Sequence, residues 1–213
     1  MITVKVFTFN PVQENTCLLY NESGDCCIID PGCYFPEEKQ ELADFIEKQG
    51  LRPNLLLNTH CHFDHVFGNK FVFETWGLVP HIHQLEQPVL DRAGEAAKRW
   101  QLPFDNYQGA VKYLDEETGL EWAGEKFQVL HVPGHSPGSL AFYHENQGFV
   151  IGGDVLFRGS IGRTDLPGGD YDTLEKSIRE KMYALPAATK VYPGHGLPTT
   201  IDVEARSNPF VKR

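Results

Sequence analysis

The spacing of apolar and polar positions changes period several times along the chain. Ile2, Val4 and Val6 alternate with Thr3 and Lys5, the pattern of a half-buried strand. Short apolar runs at residues 17–20 and 26–29 flank Asn21-Glu22-Ser23-Gly24 and read as a hairpin ending at Asp30-Pro31-Gly32. Over residues 37–49 the period lengthens. Leu42, Phe45 and Ile46 fall on one helical face, and Gly50 is a natural stop. Leu55-Leu56-Leu57 reads as a buried strand that delivers Asn58-Thr59-His60, and a helix is expected over about 66–76. Strands resume at about 127–132, 139–144 and 148–152. A helix over about 172–184 places Leu174, Ile178, Met182 and Leu185 on one face, and Asp172 with Glu175 resembles a capping box at its start. Val191-Tyr192 is a last short strand before Pro193-Gly194-His195. Residues 85–122 mix charges, Gly94 and Gly109 with Trp100, Phe104, Tyr107, Tyr113 and Trp122. They read as an insertion with at least one helix that partly covers something else. Strands first, then helices and strands intermixed, imply one α/β domain over 1–213, a sheet sandwich with helices outside.

The stretch that points to chemistry is His60-Cys61-His62-Phe63-Asp64-His65. Side chains two apart share a face in extended chain but not in a helix. His60 and His62 can therefore address one metal ion from a strand end, and Asp64 and His65 a second one as the chain turns into a helix. Imidazole nitrogen and carboxylate oxygen are donors that zinc, manganese and iron accept. One histidine would mean little; three histidines and an aspartate within six residues, directly after a buried strand, are a metal motif. Further candidates stand beside glycine at apolar strand ends: His135 in Gly134-His135-Ser136-Pro137-Gly138, Asp154 after Gly152-Gly153, and His195 in Pro193-Gly194-His195-Gly196. Glycine there lets backbone approach a crowded site. A carboxylate at the mouth of a buried strand is costly unless something neutralises it.

Composition narrows the classes. The net charge is −10 and no basic run occurs, so nucleic acid is not an expected partner. Five cysteines, an odd set without a C-x-x-C pair, read as reduced thiols of a cytoplasmic protein. The N-terminus has no signal-peptide pattern and no apolar stretch approaches the ~18 residues of a membrane span.

These motifs resemble the metallo-β-lactamase superfamily and, within it, the glyoxalase II-like (hydroxyacylglutathione hydrolase-like) enzymes. The resemblance runs from Asn15-Thr16 and Ile29-Asp30-Pro31-Gly32 to Asn208-Pro209-Phe210. It implies a four-layer αββα sandwich with the metal site at the sheet edge. It also implies two divalent metal ions, zinc first with iron or manganese as alternatives. His60, His62 and His135 would hold one ion and Asp64, His65 and His195 the other, with Asp154 bridging and with Asp64 and Asp154 as the catalytic carboxylates. True β-lactamases generally lack that bridging carboxylate. The run from Asp154 through Arg163-Thr164-Asp165 to Asp170 is most similar to the short, single-domain branch, in which Arg163 and Asp165 shape a loop beside the metals. Full-length glyoxalase II carries a C-terminal helical domain with much of its glutathione contact, whereas this sequence ends about eighteen residues after His195. The implied activity is hydrolysis of a small-molecule glutathione thioester such as S-lactoylglutathione. A mononuclear-iron persulfide dioxygenase on a His60/His135/Asp154 triad is the alternative, a lactonase-like hydrolase the next, and a metal-binding protein without turnover the last.

Other residues invite the plainer reading. His81 and His83 repeat the two-residue spacing without a nearby carboxylate and read as strand-edge histidines. His131 reads as part of the strand entering the His135 motif, and His144 as a strand end. Alternation turns Cys61 away from the metals into packing. Asp30 is either a turn cap or the group that orients a ligating histidine.

Overall fold

The computed structural model describes residues 1–212, and its backbone clusters into two compact units: residues 1–82 with 87–113, and residues 83–86 with the described residues from 114 onward. In the first unit, β1 (Ile2–Phe9), β2 (Glu14–Asn21) and β3 (Asp25–Ile29) form an antiparallel meander. α1 (Pro36–Lys48) then carries the chain to β4 (Arg52–Leu57), which pairs parallel with β3. α2 (Phe63–Val66) and α3 (Asn69–Trp76) lead to β5 (Pro80–Ile82), and α4 (Gln87–Arg99) leads to β6 (Lys112–Tyr113), both parallel additions. A parallel neighbour cannot be reached by a tight turn, so each such pairing brings a helical crossover. The sheet order is therefore β1-β2-β3-β4-β5-β6.

Alternation along these strands decides what each face buries. Phe7, Phe9, Leu18, Cys26, Ile28 and Leu56 pack with Leu42 and Ile46 of α1 and Val72 of α3. Cys17, Leu19, Cys27, Ile29 and Leu57 point the other way and are also buried. α1 starts where the Glu38 carboxylate accepts from the backbone N–H groups of Tyr34 and Phe35, with Pro36 at its first position. Cys61 packs with Val66, Ile82, Leu90 and Ala93, as its place between two histidines suggests.

The helix expected over 66–76 is two helices. The break falls at Gly68, whose N–H donates to the Pro31 carbonyl at 2.7 Å, and a Cβ there would collide with Cys33 Sγ and Pro31 O. His81 lies on β5, an interior strand between β4 and β6 rather than an edge, with Nδ1 3.1 Å from the Leu56 and Val79 carbonyls. β5 has only three residues, too few for a period to register.

In the second unit, β7 (Leu120–Trp122), β8 (Glu125–His131), β9 (Leu140–His144) and β10 (Phe149–Gly153) form another antiparallel run. A small hairpin, β11 (Leu156–Phe157) and β12 (Ser160–Ile161), precedes α5 (Tyr171–Ser177). β13 (Lys190–Pro193) pairs parallel with β10, and β14 (Thr199–Thr200) and α6 (Ile201–Ser207) follow. Leu130, Ala141, Tyr143, Val150 and Val191 face Leu174, Ile178, Met182, Ile201 and Ala205 of the helical segments. α5 is capped by Asp170, whose Oδ1 accepts from Thr173 N at 2.8 Å, so the expected Asp172/Glu175 capping box does not form. Past Ser177 the helix widens, and Tyr183 N reaches the Ile178 carbonyl five residues back. His144 ends β9, buried, with Nε2 3.2 Å from Glu125. No helix among the described residues is long and apolar enough to cross a membrane.

Two outcomes follow from this packing. All five cysteines are free and buried; burial pushes the Cys26 and Cys33 thiols up to about 12 and those of Cys17 and Cys27 well above their ordinary value. A thiol whose pKa is raised stays protonated at neutral pH and does not attack disulfide reagents. At pH 8 the folded protein is expected to react with almost no Ellman's reagent, and the denatured protein with about five equivalents per chain. Leu56, fully buried against α1, is expected to cost about 2–5 kcal/mol on replacement by Ala, measured as a lower urea midpoint at unchanged slope.

Candidate functional site

The first unit holds the clustered motif. Beyond β4 the chain runs irregularly through residues 58–62, and His62 is the N-terminal cap position of α2, in extended conformation. His60, Asp64 and His65 are buried and His62 is half-buried. The His60 ring lies 4.7 Å from that of His62 and 4.1 Å from that of His65, between centroids. His65 Nε2 is 3.7 Å from Asp64 Oδ2.

What holds these rings is Asp30, just past β3 and buried, with a left-handed φ of 50°. Its Oδ1 accepts from Thr59 N at 2.7 Å; its Oδ2 accepts from the Thr59 hydroxyl at 2.5 Å and lies 3.1 Å from His65 Nδ1. The Thr59 hydroxyl gives its hydrogen to Asp30, so its oxygen is free to accept from His60 Nδ1, 3.1 Å away. Both imidazoles then carry their proton on Nδ1, which makes Nε2 the basic nitrogen, the form a metal requires. One donor atom each from Asp30, His60 and His65 lies within 4.8 Å of the others. The Asp30 oxygens already accept from Thr59 and His65, which places Asp30 behind the rings as the group that orients them.

Around this core, Asn10 Nδ2 donates to the Gly32 and Asp64 carbonyls at 3.0 and 3.1 Å. Asn58 Nδ2 donates to the His65 carbonyl at 3.1 Å. Glu14 is wholly buried; its Oε2 accepts from Thr16 and its Oε1 lies 3.9 Å from His65 Nδ1. Burial raises its pKa well above the usual carboxylate range, against the opposing pull of His65. Gly32 has no Cβ because one would overlap the Glu14 carboxylate.

The second unit holds the other three candidates. Asp154 follows β10 and His195 follows β13, the parallel neighbour, and Gly194 N donates to Gly153 O at 2.9 Å. Nε2 of His135 and Nε2 of His195 each lie 3.5 Å from the same oxygen, Asp154 Oδ2. His135 Nδ1 donates to the Arg163 carbonyl at 2.8 Å, which again makes Nε2 the basic nitrogen. Arg163 thus acts on the site through its backbone. Its guanidinium makes two 2.7 Å bonds to Asp165 and holds that carboxyl down at about 2. Gly162 passes so close to Asp154 that a Cβ would overlap the Asp154 carbonyl.

The folding therefore gathers His60, His62, Asp64 and His65 in one unit and His135, Asp154 and His195 in the other. Thr59, Glu14 and Asn10 escape sequence reasoning because nothing local marks them; Asp30, His65 and Asp64, which they meet, stand 29 or more residues away in the chain. The donors fit a divalent metal: imidazoles with a fixed tautomer, carboxylates, and no thiolate.

Residues 10–195 match the family model of the metallo-β-lactamase superfamily. The chain belongs to the metallo-β-lactamase superfamily. It is 36% identical over 216 residues to the hydroxyacylglutathione hydrolase GloC of Haemophilus influenzae, covering 99% of this chain and 98% of that one. The BLEG-1 B3 metallo-β-lactamase superposes with a TM-score of 0.91 at 37% identity, over 99% of this chain and 100% of that one. A protein solved in a di-iron-bound form superposes with a TM-score of 0.88 at 42% identity, over 98% and 100%. The chain thus has the metallo-β-lactamase fold, as the motifs implied, and is a metallo-hydrolase of a superfamily whose members generally bind divalent metals and act on small molecules.

For this member, replacing Asp30 by Ala releases Thr59 and both imidazoles from their fixed tautomers. Affinity for added zinc is expected to fall roughly 10–100-fold, measured by competition with a chromophoric chelator.

Proposed function

We propose that the protein is a cytoplasmic thioesterase of the glyoxalase II type, cleaving S-lactoylglutathione-type thioesters to an acid and a thiol. In this reading His60, His62 and His135 hold one ion, Asp64, His65 and His195 the second, and Asp154 is shared. Zinc is the expected metal, with iron and manganese fitting the same donors. The observation that carries the reading is the pair of imidazole nitrogens, from His135 and His195, both 3.5 Å from one Asp154 oxygen. A bridging carboxylate needs neighbours of that kind. The near full-length similarity to a hydroxyacylglutathione hydrolase supports the substrate class. The five reduced thiols support the compartment.

Divalent ions held there would lower the pKa of a bound water to about 7 and would polarise the substrate carbonyl. The chain's own contribution is placement. Asp30 and Thr59 keep His60 and His65 in one tautomer, and the Arg163 carbonyl does the same for His135. Asp64 and Asp154 would help hold the ions and would orient that water toward the substrate carbonyl. A thiolate with a parent pKa of about 8.5 leaves with little help, so no side chain has to act as general acid.

The similarity to a B3 metallo-β-lactamase favours a second reading, β-lactam hydrolysis. Asp154 weighs against it. The two are separated by measuring metal content and, on the same preparation, turnover of S-lactoylglutathione, of a chromogenic cephalosporin, and of glutathione persulfide with oxygen uptake. About two metals per chain with rapid thioester cleavage, abolished in Asp154→Ala, is the expected result. Cephalosporin cleavage without thioesterase activity would install the second reading. About one iron per chain with oxygen uptake alone would make the protein a persulfide dioxygenase.

A further inference from the structure

The His135 loop is held from a direction that the metal chemistry does not explain. Glu86 closes a short helical turn, Gln84–Glu86, and is fully buried. Its Oε1 accepts from the Ser136 hydroxyl at 2.6 Å and from Gly138 N at 2.7 Å. Both donors lie within three residues of His135, and Ser136 is itself buried. Gly138 is glycine for the same reason: a Cβ there would stand 2.8 Å from Glu86 Cγ and 2.9 Å from His83 Nδ1. His83 stacks on His131 at 4.4 Å, nearly parallel, and His131 Nε2 donates to the Pro137 carbonyl at 2.9 Å.

The loop is also closed upon itself. The Ser139 hydroxyl donates to the Ser136 carbonyl at 3.2 Å, and Val132 N donates to the Ser139 carbonyl at 2.8 Å. On the other side of His135, Gly134 has a φ of 125° and passes so close to Leu174 that a Cβ would strike its backbone. The His135 ring is fixed by Arg163, and the backbone that carries the ring is fixed by Glu86. A buried carboxylate is an expensive way to anchor a loop unless both of its bonds are needed, because an anion out of water must be matched by donors.

We infer that Glu86 is a positioning residue for His135. It sets the height and angle at which that imidazole meets a metal, without touching the metal itself. This rests on reading His135 as a ligand, and the test separates the two ideas.

Cobalt-substituted full-length protein is compared as wild type, Glu86→Ala, Glu86→Gln, Ser136→Ala and His135→Ala. The readings are the visible d–d spectrum, cobalt affinity, and thermal unfolding of the metal-free form. Glu86→Ala is expected to shift the spectrum and weaken cobalt binding about 10–100-fold. Glu86→Gln is expected to restore both, since one amide oxygen can accept the two bonds. Ser136→Ala, which removes only one bond, falls between them and serves if Glu86→Ala does not fold. An unchanged spectrum and affinity in both Glu86→Ala and Ser136→Ala would overturn the inference. So would a loss of metal-free stability with no spectral change, because Glu86 would then be structural only. If His135→Ala binds cobalt with a wild-type spectrum, the ligand reading itself fails and the inference goes with it.

Discussion

A carboxylate removed from water has to be surrounded by donors, and this requirement organises both units. Asp30 is the clearest case. Its two oxygens meet a backbone N–H, a hydroxyl and an imidazole. Those three groups come from β4's exit and from α2, so satisfying one charge fixes the path of the chain through the histidine motif. Moving β3 by one residue would place Ile29 or Pro31 there and strand Thr59 and His65 together. The geometry of the histidine motif is in that sense a consequence of burying Asp30.

The same rule recurs where no ligand is involved. Glu204, buried in α6, accepts from Gly159 N, the Thr199 hydroxyl and Asn208 Nδ2. This ties the β11–β12 hairpin to the C-terminal segment, while Asn208 Oδ1 accepts from Phe210 and Val211. Glu86 does the corresponding work at the His135 loop. Each buried acid joins segments distant in sequence, and each is matched by neutral N–H or O–H donors rather than by Arg or Lys. Neutral donors stabilise the anion without adding a cation that would repel a bound metal.

Glycine makes these approaches possible. Gly32, Gly138 and Gly162 each lack a Cβ where one would collide with Glu14, Glu86 or Asp154. A residue chosen for closeness rather than for turning leaves only a weak trace in the sequence, because its reason lies in a neighbour tens of residues away. The fold also tolerates chemistries that differ. Solved structures at comparable similarity include a B3 metallo-β-lactamase and a protein in a di-iron-bound form, so the fold alone does not name the reaction.

The sequence by itself nominated the donor set and determined most of the element order. Alternation marked β1, short apolar runs marked β2, β3 and β4, the 3.6-residue period marked α1 and α5, and the packed spacing of His60, His62, Asp64 and His65 marked the metal motif. These are local patterns, and local patterns survive in a string of letters. The break between α2 and α3 at Gly68, the Asp170 cap, the interior place of β5 and the strand-poor stretch before β7 were not legible, because short or interrupted segments offer too few residues for a period. The orienting shell needed the tertiary structure. Asp30 meets Thr59 across 29 residues and His65 across 35, His135 meets Arg163 across 28, and Ser136 meets Glu86 across 50. Which nitrogen of an imidazole carries the proton depends on those contacts. Residue type can nominate a ligand, but only the chain brought back upon itself fixes the proton that decides whether it can bind.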